Sequence, residues 1–210
     1  MNEFAEKKKI RNFPVLKTIF KEKHVTEENF SQLLPDYLQK ASRLYFTPVH
    51  VARMAAQWLT ETGEKKILDI GAGIGKFCIV GAKYSDSHFY GIEYRPSLVK
   101  LANELIKHYQ IENATVLQNN VTEVNFENYD AFYLYNPFYE NLVASHRLNS
   151  EVLLSGPLYG NYLKYTEYQL DKTKTGTRLV TYHGNNFEIP DSFEKIKESE
   201  DSSLKLWLRK

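Results

Sequence analysis

Residues 66–77 read KILDIGAGIGKF, and this stretch constrains the fold more than any other. An apolar run ends on three glycines at alternate positions, 71, 73 and 75, and passes directly into a second apolar run, Phe77–Tyr84. Glycine alone turns the backbone through positive φ without a steric cost, so the pattern predicts strand, tight loop and helix in immediate succession. The chain repeats that alternation. Strands are predicted over 66–70, 88–94, 115–119, 131–135, 178–183, 193–197 and 204–208. Helices are predicted over 77–84, 96–109 and about 162–172, with Leu98, Leu101, Ala102 and Leu105 on one face of the second. Near the end, Leu204, Leu206 and Leu208 alternate with Lys205, Trp207 and Arg209, the pattern of a half-buried strand. Alternating strands and helices closed by a hairpin imply an α/β fold. Its seven-stranded sheet should be mostly parallel, with helices on both faces and an antiparallel C-terminal hairpin. In open sheets of this kind, ligands bind beyond the carboxyl ends of the strands.

Upstream, Phe30, Leu33, Leu34 and Leu38 have helical spacing interrupted by Pro35. We read residues 1–46 as a helical extension packed on the core and residues 47–210 as the main domain. Thr47-Pro48 predicts a helix start, with Thr47 as cap and Pro48 in the first turn, and Gly63 as its end. The 27 Lys and Arg nearly balance the 26 Asp and Glu, and no separate target-recognition domain is visible. Both points argue against sequence-specific recognition of duplex DNA. Charge is uneven all the same: residues 7–23 carry seven Lys or Arg against Glu22, either a solvated face or a patch for a phosphate-bearing partner. The single cysteine, Cys78, excludes an intramolecular disulfide and fits a reducing compartment. No apolar run approaches the roughly eighteen residues of a membrane span, and the N-terminus lacks the apolar core of a secretory signal. The expectation is a cytoplasmic protein without a membrane partner.

Spacing separates three nucleotide-loop readings of residues 69–75. A phosphate-binding P-loop needs glycine where Ile70 stands and Ser or Thr where Phe77 stands. A dinucleotide fingerprint needs its third glycine at the position of Lys76. The remaining pattern, D-x-G-x-G-x-G, resembles the first motif of class I S-adenosylmethionine-dependent methyltransferases, which implies a Rossmann-like sheet and that cofactor. The resemblance assigns Asp69, Gly71, Gly73 and Gly75 to cofactor binding, with Asp69 anchoring the loop and receiving the cationic methionine end. Glu93 closes the second predicted strand eighteen residues after Gly75, where an acid can accept both hydroxyls of a ribose. Where many of these enzymes carry an Asp for the adenine amine, this chain has Asn119-Asn120, with Asn120 the better match and Asn119 the alternative.

After the fourth predicted strand come Asn136, Pro137, Phe138 and Tyr139. They resemble the (N/D/S)-P-P-(Y/F/W) motif of methyltransferases acting on planar amino nitrogens, with Phe138 in place of the second proline. The resemblance implies that Asn136 and a proline carbonyl accept hydrogen bonds from the acceptor amine while an aromatic ring stacks on its plane. Oxygen or carbon acceptors, and a purely structural Asn-Pro turn, stay open. Glu140 and His183 are candidate bases, against a solvated loop acid and a structural histidine. Residues 139–162 exceed an ordinary connection and read as a lid with hinges at Gly156-Pro157 and Gly160. The six histidines are scattered and no metal-ligand spacing occurs. The acceptor is left open among protein, RNA and small molecules, as is the oligomeric state. The competing functions are a nicotinamide-dependent oxidoreductase and a non-catalytic nucleoside-cofactor-binding module.

Overall fold

The computed structural model describes residues 26–108, 110–143, 147–183 and 189–210. The basic run at 7–23 lies outside the described residues. In chain order the helices are α1 (Glu27–Gln32), α2 (Asp36–Tyr45), α3 (Val49–Thr60), α4 (Lys76–Tyr84), α5 (Pro96–His108) and α6 (Gly156–Asp171). The strands are β1 (Lys66–Ile70), β2 (His88–Glu93), β3 (Ala114–Gln118), β4 (Ala131–Leu134), β5 (Arg178–Tyr182), β6 (Phe193–Glu198) and β7 (Leu204–Arg209). They form one seven-stranded sheet in the order β3-β2-β1-β4-β5-β7-β6. Strands β1 to β5 are parallel, and β7 runs antiparallel to both β5 and β6. The expected sheet and its antiparallel C-terminal hairpin are both present.

Strand alternation divides the interior into two cores. Ala131 and Tyr133 of β4 join Ile67, Phe89, Val116 and Val180 beneath the first five helices. Phe132 and Leu134 join Leu68, Ile70, Ile92 and Leu179 on the opposite face, under α6. Adjacent side chains of a strand point to opposite faces, so a central strand covered on both sides has to be apolar throughout. All four residues of β4 are buried.

The N-terminal helices are part of the first core. Phe30, Leu33, Leu34 and Leu38 are fully buried, each contributing about 1.5–3 kcal/mol relative to exposure. An ionic clasp reinforces them. The buried Lys76 ammonium at the start of α4 pairs with Glu27 of α1 and lies 5.2 Å from the Phe30 ring. The other Glu27 oxygen accepts from Val49 N–H at 2.8 Å and so satisfies the amino end of α3.

That contact corrects the expected helix start. Pro48, not Thr47, is the cap residue of α3. The Thr47 hydroxyl instead meets Tyr133 Oη at 2.9 Å inside the core, where Tyr133 also stacks on Phe77 at 4.0 Å. A second correction concerns the lid. Gly156-Pro157 and Gly160 are not loop hinges; they form the first turns of α6, whose amino end is capped by Ser155 Oγ accepting from Leu158 N–H. The irregular connection after β4 is correspondingly shorter.

Candidate active site

From β1 the chain proceeds to β2 and β3 on one side, while β4 pairs with the other side of β1. The loops leaving β1 and β4 therefore diverge, and the crevice between them is the topological switch point of the sheet. The glycine loop and the Asn-Pro turn face each other there. Gly71 has φ 78°, and a Cβ on it would lie 2.7 Å from Pro137 Cβ. Gly73 has φ 56°, and a Cβ there would lie 2.9 Å from the Phe46 ring. The glycines thus admit Pro137 from β4 and Phe46 from the N-terminal side to van der Waals contact with the loop.

Two adjoining cavities open at this point, of about 290 and 70 Å³. Gly71, Glu93, Arg95 and Pro137 line both. The larger continues along Phe46, Gly73, Tyr135, Asn136 and Tyr139. The smaller continues along Asn119, Asn120, Val121, Phe138 and Tyr162. The result is an elongated cleft with a carboxylate at its middle, amides and aromatic rings at one end, and the Asn-Pro turn at the other.

Glu93 stands at that middle, buried at the end of β2. Its carboxylate accepts from Gly73 N–H at 3.1 Å and Arg95 N–H at 2.8 Å. Burial raises its pKa, opposed by those N–H groups and the Arg95 charge. Gly71 and Ala72 N–H donate to the Ile92 carbonyl at 3.0 and 2.9 Å. The loop is therefore anchored by the end of β2, a task the sequence reading gave to Asp69. Asp69 is buried behind the loop. It accepts from Cys78 Sγ at 3.6 Å and lines, with Thr47, Lys76 and Tyr135, a recess that adjoins the large cavity at Phe46 and Gly71. Burial, with Glu93 adding repulsion, pushes Asp69 up to about 8. The buried Cys78 thiol packs in the first core.

At the aromatic end, Asn120 Oδ1 accepts from Thr122 N–H at 3.1 Å and lies 3.0 Å from the Thr122 hydroxyl. Both lone pairs of that oxygen are thereby engaged, and Asn120 Nδ2 donates to Tyr162 Oη at 3.3 Å. Asn119 Oδ1 accepts from Asn120 N–H. Both amides line the small cavity, but the oxygen of Asn120 is committed to its own turn.

The four-residue turn after β4 is divided between the cavities. Asn136 has φ 41°, a left-handed conformation that asparagine tolerates better than most residues. Its carbonyl accepts from Tyr139 N–H at 3.2 Å. Asn136 and the half-exposed Tyr139 face the large cavity. Phe138, grouped with them from sequence, is buried 5.2 Å from the Tyr162 ring and walls the small cavity. A bulky residue in the proline position is accommodated because it turns to the small cavity and Tyr162, leaving the large cavity to Asn136 and Tyr139. Glu140 is neither solvated nor a free base: it pairs with Arg95 and accepts from Leu148 N–H at 3.1 Å. His183 is exposed, its ring 4.1 Å from Tyr182 and 6.0 Å from Tyr135.

Arg95 is the site residue the sequence reading missed. Its position two residues after the strand-end acid, in the turn before Pro96, is the only local sign of it. Among the described residues, no cluster of three His, Cys, Asp or Glu is arranged to hold a metal, and no helix is long and apolar enough to cross a membrane.

Residues 61–153 match a family model described as a methyltransferase domain, a span from the end of α3 to the connection before α6. Solved structures share the fold. A putative caffeoyl-CoA O-methyltransferase from Staphylococcus aureus is 14% identical with a TM-score of 0.59, covering 93% of this chain and 98% of its own. An RNA methyltransferase from Salinibacter ruber, in complex with S-adenosyl-L-homocysteine, is 20% identical with a TM-score of 0.55, covering 78% and 92%. An S-adenosylmethionine-dependent O-methyltransferase from Thermotoga maritima is 16% identical with a TM-score of 0.52, covering 84% and 72%.

Proposed function

We propose that the chain, which carries a methyltransferase domain and shares the fold of solved methyltransferases, is a class I S-adenosylmethionine-dependent methyltransferase that methylates a planar amino nitrogen. The observation that carries the proposal is the position of Asn136: left-handed at the end of β4, on the wall of the cavity that Gly71, Gly73 and Glu93 also line.

The cleft suits the cofactor by its donor set. Glu93 offers carboxylate oxygens to the two ribose hydroxyls, and Phe138, Val121 and Tyr162 provide an apolar slot with the Asn119 and Asn120 amides for the base. S-adenosylmethionine held there would supply a sulfonium methyl group for in-line displacement, in which the bond to the acceptor nitrogen forms as the carbon–sulfur bond breaks and S-adenosylhomocysteine leaves. The acceptor amine donates hydrogen bonds to Asn136 Oδ1 and the Pro137 carbonyl, which hold its lone pair towards the methyl. Tyr139 lies against the flat face of the acceptor. Catalysis of this kind is positioning and electrostatics, and the reaction requires no metal. Glu140 is held by Arg95, so the proposed acceptor of the released proton is His183, whose ring lies 6.0 Å from that of Tyr135 on the cavity wall. We read the segment before residue 47, described from residue 26, as an extension packed on a methyltransferase domain spanning 47–210. The single cysteine supports a cytoplasmic setting. RNA, protein and small-molecule amines are all acceptors of the right chemistry, and the likeness to an RNA methyltransferase puts RNA first to be assayed.

The test is transfer of labelled methyl groups from S-adenosylmethionine into a cell extract separated into protein, nucleic-acid and small-molecule fractions. Asn136→Ala should abolish incorporation, as should Asn136→Gly, which keeps the positive φ free of strain. Both variants should hold S-adenosylhomocysteine within a few-fold of the parent by calorimetry. Loss of cofactor binding would make Asn136 structural. Binding of NAD in place of S-adenosylhomocysteine would sink the reading, and binding without transfer would favour a non-catalytic module.

A further inference from the structure

Arg95 is the one buried cation that lines both cavities, among the described residues. Its guanidinium has three carboxylate or amide partners from different parts of the chain. Nη1 lies 3.5 Å from Glu93 Oε1, Nη2 pairs with Glu140, and Nε donates to Asn149 Oδ1 at 3.2 Å. Its own N–H binds the same Glu93 oxygen. Glu140 and Asn149 belong to the connection after β4, which otherwise leans on α5 through Glu151, whose carboxylate accepts from Ser97 N–H at 2.9 Å. One fork-shaped side chain therefore joins the acid that faces the ribose to the segment that follows the Asn-Pro turn. Lysine, with a single point charge, could not reproduce three directed contacts.

We propose that Arg95 is a positioning residue that couples Glu93 to the segment after the Asn-Pro turn, which lines the large cavity at Glu140 and Leu148 and the small one at Val152 and Leu154. The coupling rests on the cofactor assignment made above. Ribose hydroxyls on Glu93 fix the carboxylate that orients Arg95, and Arg95 then holds Glu140 on the wall of the large cavity and Asn149 further along the same segment. By thermodynamic reciprocity, loosening the segment weakens cofactor binding, and cofactor binding quiets the segment.

Asn149 lines neither cavity and binds Arg95 Nε and Glu151 N–H through one amide oxygen, so Asn149→Ala loosens the segment without removing a group from the wall of either cavity. The experiment is calorimetric titration of wild type, Asn149→Ala and Arg95→Lys with S-adenosylhomocysteine, with hydrogen exchange followed over residues 140–143 and 147–154. Wild type should bind, and binding should slow exchange in that segment. Arg95→Lys should lose affinity by about 5-fold or more, the range usual for coupled sites. Asn149→Ala should lose a smaller factor and show less ligand-induced protection. Two folded variants that bind like wild type, or exchange indifferent to the ligand in the parent, would overturn the coupling while leaving the methyltransferase reading intact. No binding by the wild type would overturn both. Should Arg95→Lys fail to fold, Asn149→Ala decides alone.

Discussion

Gly71→Ala measures how closely the two halves of the site are pressed together. Gly71 has φ 78°, and an added Cβ would lie 2.7 Å from Pro137 Cβ and 3.2 Å from Pro137 Cα. Neither atom can rotate away, because one is backbone and the other belongs to a closed ring. Two costs then add. Left-handed backbone costs an L-residue about 1–2 kcal/mol, and overpacking a tight contact costs about 1–3 kcal/mol. The sum is about 2–5 kcal/mol, a large share of the ~5–15 kcal/mol that separates folded from unfolded states. For a chain of this size it corresponds to a fall in Tm of about 4–20 °C. The control is Gly176→Ala. Gly176 has φ 84° but nothing within 4 Å of an added Cβ, so it carries the conformational cost alone. Its fall in Tm should be about 2–8 °C. Both variants are followed by thermal unfolding under one set of conditions. Equal losses would refute the reasoning, since the contact between the glycine loop and Pro137 would then contribute nothing.

Two more predictions concern buried charge. Burial pushes Asp69 up to about 8 from 3.8, so between those values the folded chain keeps a proton that the unfolded chain releases. Stability should therefore fall as pH rises through that window, by at most about 1.4 kcal/mol per pH unit from this group, and level off above it. Asp69→Asn should flatten the dependence of Tm on pH, leaving a residual slope from Glu93, whose pKa is raised in the same direction; an unchanged slope would refute the assignment. Glu27→Ala leaves Lys76 buried without its partner and Val49 N–H without its acceptor, at a cost of about 1–3 kcal/mol. Adding Lys76→Met should recover part of that loss in denaturant titration, because an apolar side chain of similar size needs no counter-charge.

The legible part of this protein was written in local patterns. The alternation that predicts β1 to β7 depends on side chains within one strand or helix of each other. The spacing of Gly71, Gly73 and Gly75 depends on five consecutive residues. Some local signals point two ways. Ser155 before Gly156-Pro157 is a helix start, a cap with proline in the first turn, although a glycine-proline pair in a long connection equally suggests a hinge. Thr47-Pro48 has the same form and is not a cap, because Tyr133, 86 residues away, takes the hydroxyl. The same limit governs the site. The sequence by itself placed β2 and β4 to within a residue of their observed ends, and so put Glu93 and Asn136 at the carboxyl edge of the sheet, because strands follow from periodicity. Only the tertiary structure decided that Phe138 turns to Tyr162 while Tyr139 turns to the open cleft. It also decided that Glu140 is bound to Arg95, and that Glu27 closes on Lys76. Those contacts join residues 24 to 49 positions apart, or more through the sheet. Each depends on which chain segments the strand order brings side by side, and no spacing within one segment encodes that order.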